Sequence, residues 1–159
     1  MISGIKAISC QVIYGLRIAS RQNYHVSPDP TKSIVAGSSY GGLAAVFMGL
    51  RHSNIVGHVL SQSGSFWWKP EASVEHEWLT RQAALNEKAN LTFYLEVGSL
   101  ESGATPDDGP SQLVSNRHMR DVLQAKGYEV CYKEFAGGHD YLCWQGTLAN
   151  GLISLVGGK

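Results

Sequence analysis

Residues 31–50, TKSIVAGSSYGGLAAVFMGL, decide how the rest of the chain is read. The lead Ile34-Val35 runs into Gly37-Ser38-Ser39-Tyr40-Gly41-Gly42, and an apolar segment of helical composition follows over 43–50. That order predicts a strand over 31–37, a sharp turn and a helix. A serine at the apex of such a turn holds a strained backbone and pushes its hydroxyl out beyond the sheet. Glycines two residues to either side leave room for strand and helix to approach. The spacing G-x-S-x-G selects Ser39 over Ser38, because only Ser39 has Gly37 and Gly41 at the required offsets. Ser39 is therefore the candidate nucleophile; a plain Gly/Ser turn ahead of a core helix is the alternative that five residues leave open.

Composition narrows the setting. The chain has 159 residues, 43% of them apolar, with 13 basic and 13 acidic side chains and a formal net charge of zero. That is enough material for one core. Charged residues are 16% of the chain, with no basic run, which argues against nucleic acid as a partner. Six histidines are scattered with no metal-site spacing, and no apolar run approaches the length of a membrane span. Cys10, Cys131 and Cys143 are odd in number and far apart, the pattern of reduced thiols in a cytoplasmic protein rather than of a disulfide framework.

Residues 1–20 are left unassigned: Ile5, Ile8, Val12 and Leu16 fit a helix face, while Val12, Tyr14 and Leu16 also alternate. Residues 21–24 have the character of a helix end, and Ser27-Pro28-Asp29-Pro30 of a turn. Further on, strands are expected over 55–60, 91–97 and 128–135, and helices over 71–90, 113–126 and 144–156. The βα alternation predicts an α/β fold with a parallel sheet covered on both faces. The loop after 55–60 carries Trp67 and Trp68, placed to line a pocket beyond the carboxyl edge of the sheet or to cover the core.

Two more loops leave that same edge. Gly98-Ser99-Leu100-Glu101 supplies an acid and Gly137-Gly138-His139-Asp140 a histidine. The chain order Ser39, Glu101, His139 is the order nucleophile, acid, base expected of a G-x-S-x-G turn in such a sheet. A serine hydroxyl needs a base within hydrogen-bond reach, and that base needs an orienting partner. His139 fits the first need and Glu101 the second, with Asp107, Asp108 or no acid at all as alternatives. Cys143 lies near His139, but two donors fall short of a zinc site, so no metal or organic cofactor is implied.

These residues carry a resemblance. The segments RQNYHVSPDPTKSIVAGSSYGGLAA, HVLSQSGSFWW, EVGSLES and GYEVCYKEFAGGHDYLCWQGTLANGL, running from Arg21 to about Val156, resemble the esterase branch of the α/β-hydrolases, nearest to the enterochelin esterase group. The resemblance implies a three-layer α/β-hydrolase fold, Ser39 as nucleophile, His139 as base, Glu101 in the acid position and the Tyr40 N–H in the oxyanion hole. It implies small-molecule ester substrates, catecholate siderophore trilactones among them. Trp67, Trp68, Trp144 and Tyr40 are then candidates to stack on aromatic rings of the substrate.

A complete domain of this fold takes about 200–250 residues, with several strands ahead of the nucleophile turn. Only 38 residues precede Ser39 here. The expectation is an esterase domain shortened at its N-terminus, with residues 21–159 as its C-terminal part. The Ser39 strand would then be an open sheet edge, available for self-association. An ester hydrolase, an inactive or partner-dependent fragment, and an acyltransferase of the same fold are the functions to weigh.

Overall fold

The computed structural model describes residues 2–157, without the side chains of residues 2–10 and of Asp107. Four parallel strands lie side by side in chain order: β1 (Ile34–Ser38), β2 (His58–Gln62), β3 (Thr92–Gly98) and β4 (Glu129–Phe135). The helices are α1 (Ile2–Asn23), α2 (Tyr40–Arg51), α3 (Trp78–Leu85), α4 (Gln112–Ala125) and α5 (Tyr141–Val156). Register pairs Ser38 with Gln62, Gln62 with Glu96 and Gly98 with Phe135. The carboxyl ends of all four strands therefore form one rim, from which residues 39, 63, 99 and 136 start their loops.

Because side chains alternate along a strand, the two central strands feed two different layers. Val59, Phe93 and Leu95 are fully buried against Val46 and Phe47 of α2, Leu79 and Ala83 of α3, and Met119 and Leu123 of α4. On the opposite face lies α5, tied down by polar groups. Glu96 is buried there and accepts from Gln62 Nε2 at 2.7 Å, from the Tyr94 hydroxyl at 3.1 Å and from the Thr147 hydroxyl. Gln62 Nε2 also reaches the Trp144 carbonyl at 2.8 Å. A buried carboxylate is tolerable only with such donors around it. Burial, with the Glu96 carboxylate alongside, raises the pKa of the Tyr94 hydroxyl well above the usual phenol range.

One unassigned segment takes a definite form, and two expected elements come out differently. Residues 2–23 are one helix, where the sequence pattern decided nothing. The apolar run 55–60 becomes a strand only from His58, and continues to Gln62. Ile55 and Val56 instead form a buried turn, their N–H groups donating to His52 O, and pack on Ile13 of α1. The helix expected over 71–90 is confined to Trp78–Leu85. Ahead of it, Ser73 N–H turns back to Pro70 O, and the Ser73 hydroxyl bonds the backbone of Glu75, offering the chain an alternative to helix. Glu77 and Trp78 then donate to the carbonyls of Trp67 and Trp68, fixing this loop above the rim.

Among the described residues, no strand pairs with the outer edge of β1. A cleft of about 350 Å³, lined by residues of α1 and β1 that include Ile13, Leu16, Ile34 and Val35, lies along it. No described helix is long and apolar enough to cross a membrane. Cys131 and Cys143 are free thiols, and Cys10 lies outside the described side chains.

Candidate active site

Ser39 sits between the last residue of β1 and the first of α2, with φ 56° and ψ −123°. A non-glycine residue adopts that region only when its surroundings enforce it. Here Ser39 N–H donates to Gln62 O at 2.9 Å, and its carbonyl accepts from Leu43 and Ser65 N–H, both at 3.1 Å. Room for the turn comes from two glycines. A side chain on Gly37 would overlap the Gly41 carbonyl, and one on Gly42 would come within 2.5 Å of the Ser61 hydroxyl and 3.0 Å of Gly64 Cα. Gly41, expected to be needed for space, has open surroundings; its backbone, not its missing side chain, is what Gly37 accommodates. The Ser39 hydroxyl makes no capping bond to α2, and this leaves it free to face the rim.

His139 Nε2 lies 2.9 Å from Ser39 Oγ, and His139 Nδ1 lies 2.6 Å from Glu101 Oε2. Those three side chains, spread over a hundred residues of sequence, form one line. His139 is fixed from behind: the next residue, Asp140, caps α5, its carboxylate accepting from Cys143 N–H at 3.0 Å. That bond holds the Asp140 carboxyl below the ordinary carboxylate range, and the hydrogen bond to Asp140 raises the pKa of the Cys143 thiol. That shift favours the protonated thiol over the thiolate at Cys143. The Glu101 side chain is only 2% exposed against 42% for His139, so the line runs from a dry acid to an accessible imidazole. Glu101 is the acid that meets His139; no bond links Asp108 to it, and the side chain of Asp107 lies outside the described residues. Among the described residues no group of three or more His, Cys, Asp or Glu side chains is arranged to hold a metal ion.

The family described as "Putative esterase" matches residues 19–155. The chain belongs to this esterase family. Among curated relatives, an iron(III) enterobactin esterase of Dickeya dadantii is 34% identical over 143 residues, covering 83% of this chain and 31% of that protein. An iron(III) salmochelin esterase of Escherichia coli O6:H1 is 33% identical over 138 residues, covering 81% of this chain and 32% of that protein. The crystal structure of an enterobactin esterase from Shigella flexneri superposes with a TM-score of 0.72 at 32% identity, over 88% of this chain and 35% of that one. This family member thus spans about a third of the length of the relatives it matches. A ferulic acid esterase at 18% identity, with a TM-score of 0.74 over 91% of this chain, shares the fold.

In this family member the three tryptophans named as ring-stacking candidates part company. Trp67 is 8% exposed, donates from Nε1 to Gln112 Oε1 at 2.6 Å, and meets the Tyr40 ring edge-on at 5.8 Å. It also lines a cleft of about 280 Å³ that includes Leu100, Glu101, Thr105, Pro106 and His139. Trp68, half-buried, lines a separate apolar hollow with Tyr40, Leu43 and Trp78. Trp144 is 6% exposed: its ring packs edge-on against His139 at 4.8 Å, and its N–H donates to Ser63 Oγ at 3.1 Å. Its ring lies against the imidazole and is not among the residues lining the cleft beside Trp67. Little in the sequence singles out Ser63 or Gln112. The only signal was that Ser63 follows a strand at the rim, a property it shares with Ser61 and Ser65.

Proposed function

We propose that this chain is a serine carboxylic-ester hydrolase acting through an acyl-enzyme at Ser39. The observation that carries this reading is the double contact of His139, one ring nitrogen on Ser39 and the other on Glu101. Ser39 Oγ attacks the ester carbonyl carbon while His139 Nε2 takes its proton. In this reading the Tyr40 N–H, in the first turn of α2 and so without an intrahelical acceptor, stabilises the oxyanion. His139 then protonates the leaving alcohol, and the acyl group stays on Ser39. A water that gives its proton to His139 attacks the acyl-enzyme, releasing the acid and restoring the hydroxyl. Glu101 keeps the neutral imidazole protonated at Nδ1 and stabilises the imidazolium.

Relatives named iron(III) enterobactin esterase and iron(III) salmochelin esterase support a substrate class for this reading. We take a catecholate siderophore ester as the substrate, seated with its aryl part in the cleft beside Trp67 and Pro106. The protein is expected to release p-nitrophenol from short acyl esters and to take one fluorophosphonate label, which mass spectrometry maps to Ser39. Soluble, folded protein that does neither would refute the hydrolase reading.

The open edge of β1 favours a second reading, in which two copies pair through that edge and the pair is the working species. Light scattering coupled to size exclusion is then expected to give twice the monomer mass of 17.3 kDa. A monomer that labels at the full rate excludes it.

A further inference from the structure

Glu101 can orient His139 only as well as it is itself oriented. Its Oε1 accepts two hydrogen bonds, from Gly98 N–H at 2.7 Å and from the Ser63 hydroxyl at 2.6 Å, and its Oε2 is left to His139 at 2.6 Å. Ser63 is fully buried and holds φ 47°, left-handed backbone that a residue with a side chain seldom adopts. It is clamped there: its N–H donates to Glu96 O at 2.7 Å, and its carbonyl accepts from Gln112 Nε2. Its hydroxyl oxygen also faces Trp144 Nε1 at 3.1 Å.

The direction of these bonds is forced. An indole nitrogen only donates, so the Ser63 oxygen accepts from Trp144 and its single proton goes to Glu101. The same Trp144 ring packs on His139, so one buried tryptophan touches the imidazole and, through Ser63, the carboxylate that orients it. We propose that Ser63 is a positioning residue of this active site: its hydroxyl, aimed by the Trp144 N–H, fixes which oxygen of Glu101 faces His139. The proposal rests on the esterase reading above.

Ser63→Gly tests it, because glycine accepts the left-handed backbone freely while the hydroxyl is lost. The expected result is a kcat on p-nitrophenyl esters about ten- to a hundredfold lower, the range for one hydrogen bond to a charged group. KM should stay within about twofold, since Ser63 is buried and touches no substrate. Relief of the left-handed backbone offsets part of the cost of leaving the buried Trp144 N–H without its acceptor, so the melting temperature should fall by only a few degrees. In a Glu101→Gln background the substitution should cost nothing further. A wild-type kcat in Ser63→Gly, or an undiminished loss in the Glu101→Gln background, overturns the proposal. Proton and nitrogen NMR of His139 gives a readout that needs no turnover. The low-field Nδ1–H resonance should broaden or move upfield in Ser63→Gly, with the neutral ring no longer held in one tautomer. An unchanged resonance overturns the positioning role even if the wild type hydrolyses nothing, an outcome that by itself would refute only the esterase reading.

Discussion

Glu101→Gln is expected to lower kcat/KM on p-nitrophenyl esters by about 10³- to 10⁴-fold while leaving the protein folded. A carboxylate has two accepting oxygens, and here Gly98 N–H and Ser63 O–H both point at one of them while His139 points at the other. Glutamine has one accepting oxygen and one NH₂ group. With its oxygen toward Gly98 and Ser63, its NH₂ faces His139 Nδ1. That nitrogen must then accept, and the imidazole proton moves to Nε2, the atom that has to receive the Ser39 proton. Turning the amide over restores the tautomer but sets NH₂ against two donors in a site where the side chain is 2% exposed. Either arrangement leaves the base disarmed or a buried donor unpaired. Steady-state kinetics with a parallel melting curve checks this. A loss below about tenfold in a folded variant would mean that His139 works with Ser39 alone, without an acid.

Much of this arrangement was legible because its signals are short-range. The turn at Ser39 is written in five consecutive residues, and the two rim loops announce themselves as Gly98-Ser99-Leu100-Glu101 and Gly137-Gly138-His139-Asp140 at the ends of β-rich runs. Once strands run parallel in chain order, their carboxyl ends must share a rim, which puts residues 39, 101 and 139 on one edge of the sheet. What stayed hidden depends on partners far away in sequence. Ile55 and Val56 are as apolar as a core strand, and only packing on Ile13 makes them a turn. Residues 71–77 have helical composition, yet the Ser73 side chain and the carbonyls of Trp67 and Trp68 capture the backbone first. Ser63 looks like any serine of SQSGS until its φ and its contact with Glu101 are seen. Trp144 reads as a ring for a ligand because indoles often stack. In the fold it is buried, with its ring edge-on to His139, a contact that no local sequence signal announces.

Gly37→Ala is expected to be severely damaging, and Gly41→Ala, four residues on, to be harmless. The added carbon at Gly37 would overlap the carbonyl oxygen and carbon of Gly41 and lie 3.0 Å from its Cα. All of these are backbone atoms in the first turn of α2, so no side chain can swing away to relieve the overlap. Instead β1 and α2 must separate, which strips contacts from Val35, Ala45 and Val46 and tilts the turn that holds Ser39 at φ 56°. A loss of about 3–4 kcal/mol is the scale for forced backbone displacement beside a packed core. For a chain of this size that corresponds to about 10 °C in Tm. At Gly41 an added carbon meets nothing within 4 Å, and alanine is favoured over glycine inside a helix by about 1 kcal/mol. Tm should therefore hold or rise there, with fluorophosphonate labelling at Ser39 unchanged. Calorimetry on the two variants side by side is decisive. Equal melting temperatures would show that strand and helix part without cost at the turn, and the strained backbone at Ser39 would then need another cause.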